Sequence, residues 1–306
     1  MTEPGRPVRV TSVSFSCRPL QAIVDVVDRE GERGVDLIAL PETWTNQSLN
    51  RPETLDGPVI SAMSALARKH KTYIVCPLDR QDGERRVNSA VLIDRAGEVV
   101  GIYDKVYPYW SEFDLLPAVA IGSEAPVFET DFGKVGLSIC FDVNFPEVWQ
   151  ELADNGAELV IWPSAYSAGT TLQAHALMHH YYIVTATQTA DCLVYDLDGQ
   201  EMLDEKSDDV TISRITLDLD RGIYHENFNL DKRDRLLAEH GDDVELERHL
   251  LREQWFIVRA KRPGVSARAL AHAYGLEELR DYISRSRRQI DEMRARQASV
   301  PVLAGG

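Results

Sequence analysis

Between about residue 8 and residue 220, short β-branched apolar runs alternate with amphipathic segments of helical period, and this alternation sets the fold class. "VRVTSVSF" (8–15) has strand character, and "PLQAIVDVVDREGERG" (19–34) predicts a helix with Pro19 near its start and Gly34 at its stop. "VDLIALPE" (35–42) and "TYIVCPL" (72–78) read as strands on either side of the helix "PVISAMSALARKHK" (58–71). Residues 85–106 predict two strands joined at Ala96–Gly97, and 125–140 a hairpin turning near Asp131–Gly133. A helix over 145–156, a strand over 157–164, a helix near 171–181 and a strand over 182–188 follow. A hairpin turning at Asp198–Gly199 and an alternating strand over 210–220 complete the pattern. This is an α/β chain, with more adjacent strand pairs than one doubly wound sheet requires. Two packed sheets with helices outside both accommodate them.

Beyond about residue 221 the chain becomes denser in charge. Leu270, Tyr274, Leu279, Ile283, Ile290 and Met293 recur at roughly helical spacing. The expected organisation is a domain over 1–220 and a helix-rich extension over 221–306, docked on the core or on a second subunit. "SARALAHAYG" is similar to the first half of a helix-turn-helix, but 49 acidic against 33 basic residues leave a net charge of -16. That balance repels nucleic acid and anionic membrane, so neither is expected as a partner. No apolar stretch is long enough to span a bilayer, and the N-terminus lacks a basic region followed by an apolar run. Cys17, Cys76, Cys140 and Cys192 are too scattered for a disulfide framework or a CxxC metal pair. A reducing, cytoplasmic setting is the expectation.

Three apolar runs each deliver one ionisable residue at the carboxyl end, where open α/β sheets place their ligand sites. Glu42 follows "DLIALP", Lys105 follows "VVGIYD" and Cys140 follows "KVGLSI". Singly, they read as a cap, a surface charge and a packing thiol. Together, a base, a cation and a thiol form a sufficient kit for acyl transfer.

"LIALPETW", "YDKVYPYWSE" and "VGLSICFDVNFPE" resemble, in order, spacing and flanking residues, the three signatures of the nitrilase, or carbon–nitrogen hydrolase, superfamily. The resemblance covers roughly residues 8 to 220. It implies a four-layer α-β-β-α sandwich, face-to-face homodimers or higher homo-oligomers, and a Glu–Lys–Cys triad with no metal or organic cofactor. Glu42 matches the general base, Lys105 the catalytic lysine, Cys140 the nucleophile, and Glu112 a further pocket glutamate. The Phe141 backbone N–H, next after the nucleophile, offers a second oxyanion donor beside Lys105.

The superfamily acts on nitriles, amides, N-carbamoyl compounds and acyl acceptors. Asp142 in "CFD" is similar to the amidase and carbamoylase branches, where many nitrilases carry glutamate. Hydrolysis of a small amide or N-carbamoyl compound is therefore the leading reading. The alternatives are nitrile hydrolysis, N-acyl transfer and a catalytically silent interaction protein. Tyr166 is a candidate pocket lip, and Tyr109 and Trp110 a candidate wall. The segment "HALMHHYYIV" departs from the family, placing His175, Met178 and His179 where amidases commonly carry an arginine and then a glutamate–asparagine pair. The i,i+4 pair His175 and His179 lacks the glutamate of HExxH, so zinc is not expected. "PYWSEFDLLPAV" offers no basic clamp for a substrate carboxylate, unless Arg18, Arg51 or a distant lysine supplies one.

Overall fold

The computed structural model describes residues 3–45 and 52–298. Arg6–Leu219 form one compact unit, and a second begins at Asp220. In chain order the first unit contains β1 (Pro7–Phe15), α1 (Leu20–Gly31), β2 (Leu37–Ala39), α2 (Pro58–His70) and β3 (Tyr73–Asp82). There follow β4 (Arg85–Ile93), β5 (Val99–Asp104), β6 (Val127–Glu129), β7 (Lys134–Leu137), α3 (Pro146–Asp154) and β8 (Leu159–Ser164). It closes with α4 (Thr170–His179), β9 (Tyr182–Thr187), β10 (Asp191–Tyr195), β11 (Glu201–Lys206) and β12 (Val210–Asp218).

These strands make two six-stranded sheets, ordered β12-β1-β2-β3-β4-β5 and β11-β10-β9-β8-β7-β6. The outer face of the first is covered by α1 and α2. Ile23 and Val27 of α1, with Ile60, Met63 and Ala67 of α2, join Val13, Ile38, Ile74 and Val91 of the sheet in one buried cluster. Trp149 and Leu152 of α3 and Leu172 and Ala176 of α4 are buried on the second sheet's side. The expected α-β-β-α sandwich is the architecture found.

Strand direction brings the reactive ends together. β1, β2 and β3 pair in parallel. β3 pairs antiparallel with β4 and β4 antiparallel with β5, so β5 runs the same way as β2. In the second sheet β7, β8 and β9 are parallel. Between the sheets, Ser12 Oγ donates to the Thr185 carbonyl at 2.6 Å and the Thr187 N–H donates to Ser14 Oγ at 3.0 Å. Numbering rises together on both sides of that seam, so β1 and β9 share a direction. The chain segments leaving β2, β5 and β7 therefore emerge at one edge of the sandwich.

Two differences from the sequence reading are local. The strand expected over 35–42 is paired only over Leu37–Ala39, although Leu40 and Glu42 stay buried. The extension carries the expected helices α5 (Leu230–His240), α6 (Ala267–Ala273) and α7 (Leu279–Ala298), but also an antiparallel sheet. That sheet is β13 (Gly222–His225), β14 (Val244–Leu250) and β15 (Trp255–Ala260), with β15 central. Phe256, Val258 and Ala260 alternate inward from β15 onto Leu236 of α5 and Ala267 and Ala271 of α6. Charge density hid β14 in particular, which buries only Val244 and leaves its other side chains at least partly exposed. Among the described residues no helix is long and apolar enough to cross a membrane.

Phe256 is fully buried at the centre of this second core. Phe256→Ala should cost about 3–5 kcal/mol, read by urea denaturation of the unit's β-sheet signal. A loss below about 1 kcal/mol would mean that the ring does not anchor this core.

Candidate active site

Glu42, Lys105 and Cys140 line a single cavity of about 660 Å³ at the shared strand edge. Lys105 is almost completely buried, and its Nζ donates to Glu42 Oε1 at 2.8 Å and to Glu112 Oε2 at 2.6 Å. Asn88, on β4, donates from Nδ2 to Glu42 Oε1 at 2.7 Å and to Glu112 Oε1 at 2.8 Å. Two carboxylates fix that amide's orientation, because a flipped group would set its oxygen against both. The Ala165 N–H, just past β8, donates to Glu42 Oε2 at 2.9 Å. Gln188, just past β9, donates from Nε2 to the Glu42 carbonyl at 2.6 Å. Both sheets thus contribute donors to one glutamate.

Burial alone would raise the Glu42 pKa. The Lys105 charge and hydrogen bonds from Lys105, Cys140 and Asn88 outweigh it and hold the carboxyl below its ordinary range. Lys105 moves the other way from what burial would do, raised above the ordinary lysine value by Glu42, Cys140 and Glu112. The Cys140 thiol is pushed up, first by burial and then by the Glu42 charge, with Lys105, the Ala165 N–H and Ser164 offsetting only part. At neutral pH the resting site is therefore thiol, carboxylate and ammonium.

The nucleophile candidate sits on a sharp turn. β7 ends at Leu137, and Cys140 opens a 3-10 turn (Cys140–Asn144) with φ +48°, a conformation that non-glycine residues adopt at a cost. Asp142 holds that turn. Its Oδ2 accepts from Tyr103 OH at 2.6 Å and the Ile139 N–H at 2.9 Å, and its Oδ1 accepts from the Tyr107 N–H at 2.8 Å. Burial pushes this carboxyl up to about 6, against those same three donors. Trp162 Nε1 donates to the Cys140 carbonyl at 3.1 Å and so fixes the turn from β8. Behind the lysine, Gly122 donates its N–H to the Lys105 carbonyl at 2.9 Å, and a Cβ there would lie 2.0 Å from the Asp104 carbonyl oxygen. Only glycine fits that approach.

Of the residues singled out in the sequence, Glu42, Lys105, Cys140, Glu112, Phe141, Tyr109 and Tyr166 line the cavity. Trp110 is not among the lining residues and is 64% exposed, tilted against Tyr109. Asp142 is buried outside the lining, tying Tyr103, Tyr107 and the nucleophile turn together. Neither Arg18 nor a lysine other than Lys105 lines the cavity, and Arg51 lies outside the described residues. Asn88, Asp79, Arg86 and Gln188 were not singled out. They lie within strands or just past a strand end and carry no motif, so only spatial pairing reveals them.

His175 Nε2 bonds the Val143 carbonyl at 2.9 Å, and the ring stacks on Trp149 at 4.3 Å. This aromatic stack supports the back of the turn at Cys140. Among the described residues no group of three metal-ligating side chains occurs. Cys76 and Cys192 are fully buried on strands, their thiols pushed up by burial to about 12 and about 11. Cys17 lines the cavity, its Sγ 3.5 Å from Gln188 Oε1.

Alkylation of the native protein by iodoacetamide should reach Cys140 and Cys17 and spare Cys76 and Cys192 until unfolding. The rate at Cys140 should still be climbing above the ordinary thiol pKa of about 8.5, because its thiol is raised. Peptide mass spectrometry that found Cys76 labelled ahead of Cys140 would contradict this geometry.

The sequence profile of the family described as carbon-nitrogen hydrolase matches residues 18–222. The nitrilase and fragile histidine triad fusion protein NitFhit of Caenorhabditis elegans is 29% identical over 207 residues, 59% of this chain and 47% of that protein. Beta-ureidopropionase of Arabidopsis thaliana is 32% identical over 154 residues, 46% of this chain and 38% of that protein. The matched regions thus span about half or less of these two relatives. Citrullinase of Francisella tularensis subsp. tularensis is 26% identical over 285 residues, 84% of this chain and 95% of that protein. Among solved structures, a variant of the amidase from Nesterenkonia superposes with a TM-score of 0.63 at 22% identity, over 78% of this chain and 98% of that one. A carbon-nitrogen hydrolase from Helicobacter pylori gives 0.62 at 18% identity, over 77% and 95%. At such identities the structural likeness is one of fold. The profile match covers well over half of the sequence and includes all three strand-end residues, and the chain belongs to the carbon-nitrogen hydrolase family, within the nitrilase superfamily of hydrolases with a catalytic cysteine.

Proposed function

We propose that the protein hydrolyses the C–N bond of a small linear amide or carbamoyl compound through a thioester on Cys140. The observation that carries this reading is the buried Glu42 carboxylate, ionised by Lys105 and sharing a cavity with the protonated Cys140 thiol. Glu42 takes the thiol proton as sulfur attacks the carbonyl carbon. Lys105 Nζ and the Phe141 N–H hold the oxyanion. The tetrahedral centre collapses, the C–N bond breaks, and Glu42 returns the proton to the departing nitrogen. Water then gives a proton to Glu42 and attacks the thioester, and the thiol is restored as the acid leaves. Glu112, bonded to both Lys105 and Asn88, positions the ammonium.

Amide or carbamoyl substrates are supported by Asp142 in "CFD", which is similar to the amidase and carbamoylase branches, and by relatives such as a beta-ureidopropionase, a citrullinase and deaminated glutathione amidases. The Nesterenkonia amidase has been solved with butyramide and with an acetamide moiety added at its active-site cysteine. Intact-protein mass spectrometry with amide, carbamoyl and nitrile panels should trap an acyl adduct that Cys140→Ala abolishes. Lys105→Ala should lower turnover by about 10²–10³-fold, the usual loss of one oxyanion donor. An adduct on a different cysteine, or near-normal turnover without Lys105, defeats these roles.

The working form of Glu42 is the carboxylate, and its folded pKa is lowered, so kcat/KM should hold as pH falls to the ordinary carboxylate range near 4.3 and drop only below it. The same sign governs stability: ionised Glu42 stabilises the fold above its unfolded pKa, and the gain is lost as pH falls through the folded value. Asn88→Ala removes a donor shared by two carboxylates. It should lower kcat/KM about ten- to a hundredfold, from the ~1.5–3 kcal/mol of a charge-assisted hydrogen bond. It should also move the acid limb to higher pH. A loss of rate with an unmoved limb would make Asn88 merely structural.

A further inference from the structure

The cavity that holds Cys140 has a second polar constellation in its wall. Asp79 of β3 and Arg86 of β4 both line it, at 4% and 3% exposure. Arg86 Nε donates to Asp79 Oδ1 at 2.9 Å, and a second guanidinium N–H donates to Oδ2, so the pair is two-pronged. Strand pairing sets Asp79 directly opposite Asn88. Asp79, Asn88 and Arg86 therefore share one face of the β3–β4 hairpin, and Asn88 is the residue that bonds both Glu42 and Glu112. Two residues of strand rise separate Arg86 from Asn88, roughly 7 Å. Leu115 and Val119 add apolar lining to the same cavity.

A buried ion pair is a weak source of stability, since well-packed apolar residues often do as well. Asp79 illustrates this: burial raises its carboxyl pKa, Arg86 offsets only part, and Glu112 adds to the rise. What the pair provides is an anion and a cation side by side on a ligand-sized cavity. Three carboxylates, Glu42, Asp79 and Glu112, face two cations, Lys105 and Arg86, so the lining carries a net charge of -1. A purely anionic tail would meet Arg86 but be opposed by Asp79 and by that net charge. A purely cationic tail would meet Asp79 and be favoured by that net charge, but would be opposed by Arg86 and leave its guanidinium without an anion from the ligand. A group carrying both charges satisfies both partners.

We propose that the Asp79–Arg86 pair is the subsite for the far end of the substrate and takes an α-amino-acid zwitterion, its carboxylate on Arg86 and its ammonium on Asp79. A linear chain joins that end to the amide or ureido group. The assignment of which end is cut rests on the hydrolase reading; binding of the zwitterion does not.

The test uses full-length Cys140→Ala protein and isothermal titration calorimetry. Homoglutamine, δ-aminovaleramide, adipamic acid and valeramide share one primary amide and differ only in a zwitterionic, cationic, anionic or apolar tail, and the ureido analogue of each extends the series. The zwitterion should bind at least about tenfold tighter than the other three tails, and Asp79→Asn combined with Arg86→Gln should erase the preference. Equal affinities, tightest binding of another tail, no binding of any, or a preference that survives the double variant would each overturn the subsite. If the double variant does not fold, the series on Cys140→Ala alone still decides. Acyl adducts of the wild-type protein with valeramide report separately on hydrolysis. Adducts without tail preference would leave the hydrolase reading standing and remove the subsite, whereas tail preference without any adduct would do the reverse.

Discussion

The hydrogen-bonded contact between Lys105 and Glu42 is the interaction on which the site depends. Two opposite charges are almost fully removed from water there, which costs several kcal/mol per ion unless every remaining lone pair and proton finds a partner. The fold supplies those partners from separate elements: Asn88 from β4, Glu112 from the turn after Lys105, and the Ala165 N–H from the end of β8. Removing one partner leaves an uncompensated buried charge, so the network is held together by the cost of losing any member. It also fixes the protonation states. An ionised glutamate beside a neutral thiol is the resting pair that the proposed proton transfer requires.

Both sheets are needed for this. Glu42 and Lys105 follow strands of the first sheet, and Cys140, Ala165 and Gln188 follow strands of the second. The seam between β1 and β9, with serine hydroxyls bonding across it, runs the two sheets in one direction and brings their carboxyl ends to one edge. The α-β-β-α arrangement is thus a means of facing two strand-end sets toward one cavity, each outer face being sealed by its own helices.

The fold class and the three strand-end residues that meet in the cavity were legible in the sequence because each is a local pattern. Apolar runs give strands, and a lone ionisable residue after such a run stands out. The partners of those residues were not legible. Asn88, Asp79 and Arg86 lie inside "LDRQDGERRVNSA", where a hairpin with charged side chains on its face looks like solvated sequence. Arg86 bears directly on the missing carboxylate clamp: a guanidinium does line the cavity, but Asp79 already neutralises it. The sheet of the second unit was hidden for a related reason. β14, "VELERHL", buries Val244 and leaves most of its other side chains half-exposed, so charge dominated the reading. His175 shows the converse, a titratable residue in an unfamiliar position whose ring packs on Trp149 as an aromatic would.

Two residues at the cavity, Thr43 with φ +36° and Cys140 with φ +48°, have left-handed backbones without being glycine. Each such residue carries on the order of 1–3 kcal/mol of conformational strain, which the rest of the sandwich must absorb. Glycine would be free of that strain at either position, but at 140 it would also lack the thiol, so the turn that presents the sulfur carries a conformational cost that the surrounding packing offsets.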